Sequence, residues 1–258
     1  MPMREKTPWP WVVILWLSLL APTGVNAADT VILTADHWCP HTCDPSSGRS
    51  GYMIDIAREA FALAGLKTQY QIRPWATGLS EIRAGLADGI VGTLPGEAPD
   101  LPRNRLPLGQ QSNAFAVRAD DPFNFIDMTS LAGRRIGTVK DYSYSTDIDA
   151  WLAQHPQQVL AQAGNRAAET NLGRLLDRQV DLVLDDEAVL RDTIIRTGRT
   201  GKVRTAGRLA GGSLHISFSL ARHRGNSLAD ALDNGIIALR RNGRLAAILA
   251  GYGLADWE

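Results

Sequence analysis

The chain has 258 residues, with 27 Lys and Arg balanced by 27 Asp and Glu, and 45% apolar side chains. That length supports two compact lobes of roughly 100 residues each. Zero net charge lacks the basic footprint that nucleic-acid binding requires, so no nucleic acid is expected as a partner.

Arg4 and Lys6 precede an apolar run from Trp11 to Ala21, and Val25-Asn26-Ala27 supplies small residues before Ala28. This is the pattern of an export signal over residues 1–27. The run is shorter than the roughly 20 apolar residues of a spanning helix, and no cysteine flanks the cleavage site. Removing Arg4, Glu5 and Lys6 with the signal leaves 25 basic and 26 acidic residues in a chain expected to be soluble and periplasmic.

Thr30 to Ala35 reads as an apolar strand ending at Asp36-His37-Trp38. The two cysteines, Cys39 and Cys43, share the next loop. In an exported chain such a pair is expected to form a disulfide, whose short loop stiffens its surroundings. His37, Cys39, His41 and Cys43 also alternate as a ligand set that zinc or copper accepts, although Pro40 argues against four ligands converging. Met53 to Ala64 has helical spacing, with Asp55 in its first turn and Gly65 at its stop. Thr68 to Arg73 alternates as a strand, and Pro74-Trp75 lies at its end. A helical pattern through Leu79, Ile82 and Leu86 precedes a buried strand, Gly89 to Thr93. Such alternation implies a mainly parallel α/β sheet, whose ligands bind beyond the carboxyl ends of the strands.

The first lobe is expected to continue through a strand at Ala114–Arg118, with Asp120-Asp121-Pro122 as punctuation. A second α/β pattern starts at Leu131 to Val139. It continues through a loop at Tyr142–Ser145, a helix from Ile148, a helix through Leu172, Leu175 and Leu176, and a strand Val180–Leu184. Asp185, Asp186 and Glu187 then fall in the loop after that strand. His215 to Leu220 reads as a returning strand, followed by helices Ser227–Arg241 and Leu245–Leu249. Lobe 1 is thus expected over 28–118 and 222–258, with lobe 2 inserted over 119–221.

Gly51-Tyr52-Met53-Ile54-Asp55, the Trp75 position, Arg83 to Ile90 and the closing Tyr252-Gly253-Leu254 together resemble the family 3 periplasmic solute-binding proteins. The resemblance covers about Thr30 to Trp257. It implies a type II periplasmic binding protein fold, two Rossmann-like lobes joined by two hinge strands that close on a solute. It also implies that Trp38 and Trp75 face the ligand as aromatics, that Thr93 offers a hydroxyl, and that Asp186 pairs with a ligand ammonium. Tyr142 and Ser143 occupy the loop whose amides take a ligand carboxylate; Tyr144, Tyr52, Glu97 and Arg103 stand nearby. Relatives that bind α-amino acids usually carry an Arg where this chain has Asp100, and spacing leaves open whether Arg103 or Arg105 reaches back. The implied role is capture of a small polar, amine-bearing solute by a monomer that serves an ABC-type permease.

An enzyme on the same fold is the alternative, in the manner of cyclohexadienyl dehydratases, with Glu97, Asp100 or Glu187 as a cleft acid. A solute-sensor module is a third. No nucleophile elbow or Gly-rich phosphate loop occurs, and no catalytic residue, metal or cofactor is expected.

Overall fold

The computed structural model describes residues 1, 3 and 29–257; apart from Met1 and Met3, the expected export signal lies outside the described residues. Thr30–Ala35 forms β1, its alternate side chains Val31 and Leu33 fully buried. The disulfide-closed loop Cys39–Cys43 follows, then helix α1, Tyr52–Leu63. No side chain caps α1. Instead the carbonyls of Pro40 and His41 accept its first amides, from Tyr52 and Met53, at 3.0 and 3.1 Å. Gly51 makes this approach possible: its φ is +95°, and a Cβ there would fall 2.4 Å from the His41 oxygen.

Strand β2 (Lys67–Ile72), helix α2 (Trp75–Arg83) and strand β3 (Gly89–Thr93) complete the first unit. The helical pattern starts earlier than expected, at Trp75 itself, and stops before Leu86, which is exposed. After the short β4 (Gly109–Gln110) the chain crosses into β5 (Asn113–Arg118). The second unit runs β6 (Ile136–Val139), α3 (Thr146–Gln154), β7 (Val159–Gln162), α4 (Ala167–Leu176), β8 (Leu182–Asp186), α5 (Glu187–Arg196) and β9 (Val203–Arg208). The chain then returns as β10 (Ser213–Phe218) and closes with α6 (Gly225–Arg241) and α7 (Arg244–Ala250).

Two five-stranded sheets result, ordered β2-β1-β3-β10-β4 and β7-β6-β8-β5-β9. Each has a parallel trio, and the strand that enters after a crossover lies antiparallel beside it: β10 against β3, and β5 against β8. The lobe boundary therefore differs from expectation. The strand Ala114–Arg118 belongs to the second sheet and His215–Phe218 to the first, so the crossings lie at residues 111–112 and 209–212 rather than after 118 and 221. Both strands are largely buried and antiparallel to their neighbours, so composition alone does not say which sheet each joins.

The first lobe packs α1 and α6 on its sheet around Leu33, Ile54, Phe61, Phe218 and Ile236. Each such fully buried side chain contributes roughly 1.5–3 kcal/mol. The second lobe buries Phe115, Ile136 and Leu184 on one face and Leu172, Leu175 and Val183 on the other. Val189 of α5 packs into the first lobe's core, so apolar contact joins the lobes as well. Among the described residues no helix is long and apolar enough to cross a membrane.

Candidate functional site between the lobes

The loops after β1, β2 and β3 face the loop after β6 across the gap between the lobes. Asp36 and Trp38 leave the end of β1, Trp75 starts α2, and Leu94 to Glu97 follow β3. Together with Tyr142 and Ser143 of the second lobe, and Gln111 of the crossover, they line a narrow chamber whose empty space, open solvent at its mouth included, is about 360 Å³. A second space of about 430 Å³ adjoins it and shares Asp36, Trp75 and Tyr142, adding His37, Lys140 and Asp141. The Tyr142 hydroxyl donates to the Asp36 carboxylate, and this contact between lobes partitions the cleft.

The inner chamber is acidic and aromatic. Burial raises the Asp36 carboxyl to about 6, against the lowering effect of the Tyr142 hydrogen bond. Burial also raises Glu97, which accepts the Leu94 amide at 2.8 Å, and the nearby Asp149 and Asp36 charges push the same way. The ring of Trp38 stacks on His41 with centroids 4.1 Å apart and meets Tyr142 edge-on at 6.3 Å. The Gln111 side-chain oxygen is buried without a partner, although the main-chain amide of the same residue donates to the Gly212 carbonyl at 2.8 Å. None of the described residues lining this chamber is basic.

Of the residues singled out from sequence, Trp38, Trp75, Glu97, Tyr142 and Ser143 line the cleft. The Ser143 hydroxyl donates to Asp149 at 2.6 Å. Others do not reach the chamber. Thr93 is fully buried and turned into the sheet, its hydroxyl 2.9 Å from that of Ser217. Tyr144 is a core residue of the second lobe whose oxygen accepts the Val139 amide. Arg103 is exposed and bridges to Ser217 through its backbone, while Arg105 pairs with Asp233. Asp100 holds Arg83 on the surface through two bonds of 2.9 Å.

Asp186 requires a larger correction. Asp185 and Asp186 are the last two residues of β8, paired with Ala114 and Asn113, and not a polar loop after it. Asp186 is 2% exposed and its carboxylate is fully engaged. Oδ1 meets His41 Nε2 at 2.9 Å and caps α5 through the Ala188 and Val189 amides, while Oδ2 accepts the Ser112 amide at 2.8 Å. Burial would raise this carboxyl, but the charge and hydrogen bond of His41, together with the amides of Ser112 and Val189, outweigh it and the net shift is downward. The other His41 nitrogen lies 2.6 Å from the Tyr52 hydroxyl. Tyr52, His41 and Asp186 thus form a buried chain from α1 to the crossover, tying the lobes together and offering nothing to a ligand in the chamber.

The disulfide joins Cys39 to Cys43, which removes both thiolates from any metal set. Among the described residues no three His, Cys, Asp or Glu side chains converge on a metal position. Sequence reasoning missed Val91, Gly92 and Leu94 of the lining and, more consequentially, its two polar residues Asp36 and Gln111. Asp36 stands at a strand's carboxyl end beside Trp38, which is the signal that finds it. Gln111 lies in a crossover whose position depends on the strand exchange, and no local pattern marks it.

No protein-family model matches this chain, and no curated protein matches it in sequence. Solved structures do. A histidine kinase sensor domain with similarity to periplasmic binding proteins superposes with a TM-score of 0.74 at 18% identity, covering 89% of this chain and 99% of that one. A mutant of ArgBP from T. maritima gives 0.73 at 14%, covering 87% and 95%. The fold is that of the type II periplasmic binding proteins. The GluR0 ligand-binding core from Nostoc punctiforme, in complex with L-glutamate, shares it at 0.69 and 18% identity, over 86% and 98%. At these identities the likeness concerns the fold, in which two lobes flank a central cleft as they do here.

Proposed function

We propose that this protein is an exported binding protein that captures a small polar, amine-bearing solute between its lobes and presents it to an ABC-type membrane transporter. The observation that carries the reading is the lining of the inner chamber. The Asp36 and Glu97 carboxylates stand among the rings of Trp38, Trp75 and Tyr142, with no basic side chain among the described lining residues. Carboxylates and aromatic faces both attract a cation, the latter by roughly 0.5–2 kcal/mol per ring. The ArgBP structures among the fold neighbours support the same class of role. A histidine kinase sensor domain among them supports a second reading, in which the occupied cleft signals to a receptor instead of a permease.

The reading predicts that an amine raises the melting temperature, because a ligand at 100 times its Kd adds about 2.7 kcal/mol to the folded state. Thermal-shift screening of amines, followed by calorimetry of each hit, measures this. Trp75→Ala and Asp36→Asn should each weaken the best hit at least tenfold while the unliganded melting temperature changes little. Equal affinity in both variants removes the site. Chemical consumption of the hit during the assay would make the protein an enzyme, with Glu97 as the cleft acid.

A further inference from the structure

The lining of the inner chamber says more about the guest than that it is a cation. We infer that the chamber selects a cation bearing several N–H donors and no carboxylate beside them: a primary amine, amidine or guanidine in preference to the α-amino acid of the same skeleton. The inference rests on the binding reading above and names the solute class for that same cleft.

Three observations carry it. The first is the unpartnered Gln111 oxygen. Gln111 is 6% exposed, the residue borders the chamber, and its Oε1, itself buried, has no donor. A buried acceptor left unmade costs free energy that a guest N–H recovers and a fully methylated ammonium does not. The second is the pair of carboxylates. Asp36 and Glu97 sense each other's charge, and a single cation with several N–H groups satisfies both together with Gln111. The Tyr142 hydroxyl is a donor already spent on Asp36, and Ser143 is a donor spent on Asp149. The indole N–H of Trp38 is buried and interacts with the Asp185 carboxyl, which it lowers. The Gln111 amide N–H groups and the Trp75 indole N–H are the lining side-chain donors left, and the oxygens of Asp36, Glu97 and Gln111 outnumber them.

The third observation is the fate of every arginine that spacing offered for a ligand carboxylate. Asp100 stands at the expected arginine position and is paired on the surface with Arg83. Arg105 is held by Asp233 and Asp230, and Arg103 does not border the chamber. A carboxylate entering with the amine would meet Asp36 and Glu97 with no counter-charge among the described lining residues, which is how a site rejects a competitor as well as attracts its guest.

Calorimetry on the mature chain with matched pairs tests this: agmatine against arginine, putrescine against ornithine, cadaverine against lysine, with choline as a cation that has no N–H. We expect at least one amine to bind ten or more times more tightly than its amino acid, and choline to bind at least tenfold more weakly than that amine. Gln111→Leu should weaken the amine at least tenfold and leave choline unchanged, while Gln111→Glu, which keeps an acceptor, should hold the amine within threefold or better. An amino acid that binds as well as its amine, or choline binding equally well, overturns the selectivity and leaves the protein a solute binder. Full amine affinity in folded Gln111→Leu overturns the role of that oxygen. Failure of every compound, in the presence of native melting behaviour, takes down the amine-binding reading itself. If Gln111→Leu does not fold, the amine-to-choline ratio of the native protein decides the matter.

Discussion

Asp185 is a carboxyl sealed in the sheet. It is 1% exposed, and its Oδ1 accepts the Asp186 amide at 2.8 Å. Burial, followed by the charges of Asp186 and Asp36, raises it to about 8. The folded state therefore keeps a proton that the unfolded chain releases at ordinary carboxylate pH. The stability contributed by protonated Asp185 is complete below about 3.8 and is lost as pH rises through about 8. Asn preserves the acceptor and does not titrate. Asp185→Asn should thus gain on the native protein between pH 5 and pH 8, by at most about 1.4 kcal/mol per pH unit, in urea denaturation at several pH values. Parallel profiles would mean that Asp185 is ionised in the fold. At this scale the candidate site was legible where the residue type and the strand end coincided, as at Trp38, Trp75 and Tyr142. Asp186 was illegible because its partner, His41, lies 145 residues away and consumes it. A carboxylate at a helix start reads identically whether it faces a solute or a histidine.

The elements were easier to read than the residues, because periodicity is local. β3 occupies the expected Gly89–Thr93, and α1 and β2 begin within one residue of expectation. The strands β4, β7 and β9 carry no expectation, since pairing across the sheet, not alternation within them, creates them. Packing between elements also depends on positions that periodicity treats as ordinary. Gly235 of α6 presses on Ala60 of α1 so closely that an added Cβ would sit 2.5 Å from the Ala60 Cβ. Gly235→Ala should therefore destabilise the first lobe by about 1–3 kcal/mol in spite of alanine's better helix propensity. Ala60→Gly should return part of the loss in the double variant, as contacting residues couple. Chemical denaturation of the four proteins measures both terms, and a stabilising Gly235→Ala would show that the helices slide apart without cost.

The arrangement of the whole molecule was legible as two lobes and a double crossover, but not the place of the exchange. The two crossing segments touch: Gln111 N–H donates to the Gly212 carbonyl, and a Cβ on Gly211 would fall 1.4 Å from the Gln111 carbonyl oxygen. Only glycine fits at that approach. Gly211→Ala should force the strands apart, lower the melting temperature and enlarge the radius of gyration in small-angle scattering. Unchanged scattering and melting would show that the strands are not held at this spacing in solution. The same residue that Gly211 abuts also lends its side chain to the chamber. Under the proposed function, a guest held by Gln111 would pull on the axle itself and not on a distant rim, which would couple occupancy to the angle between the halves. On that proposal, a receptor or permease would have only to feel posture.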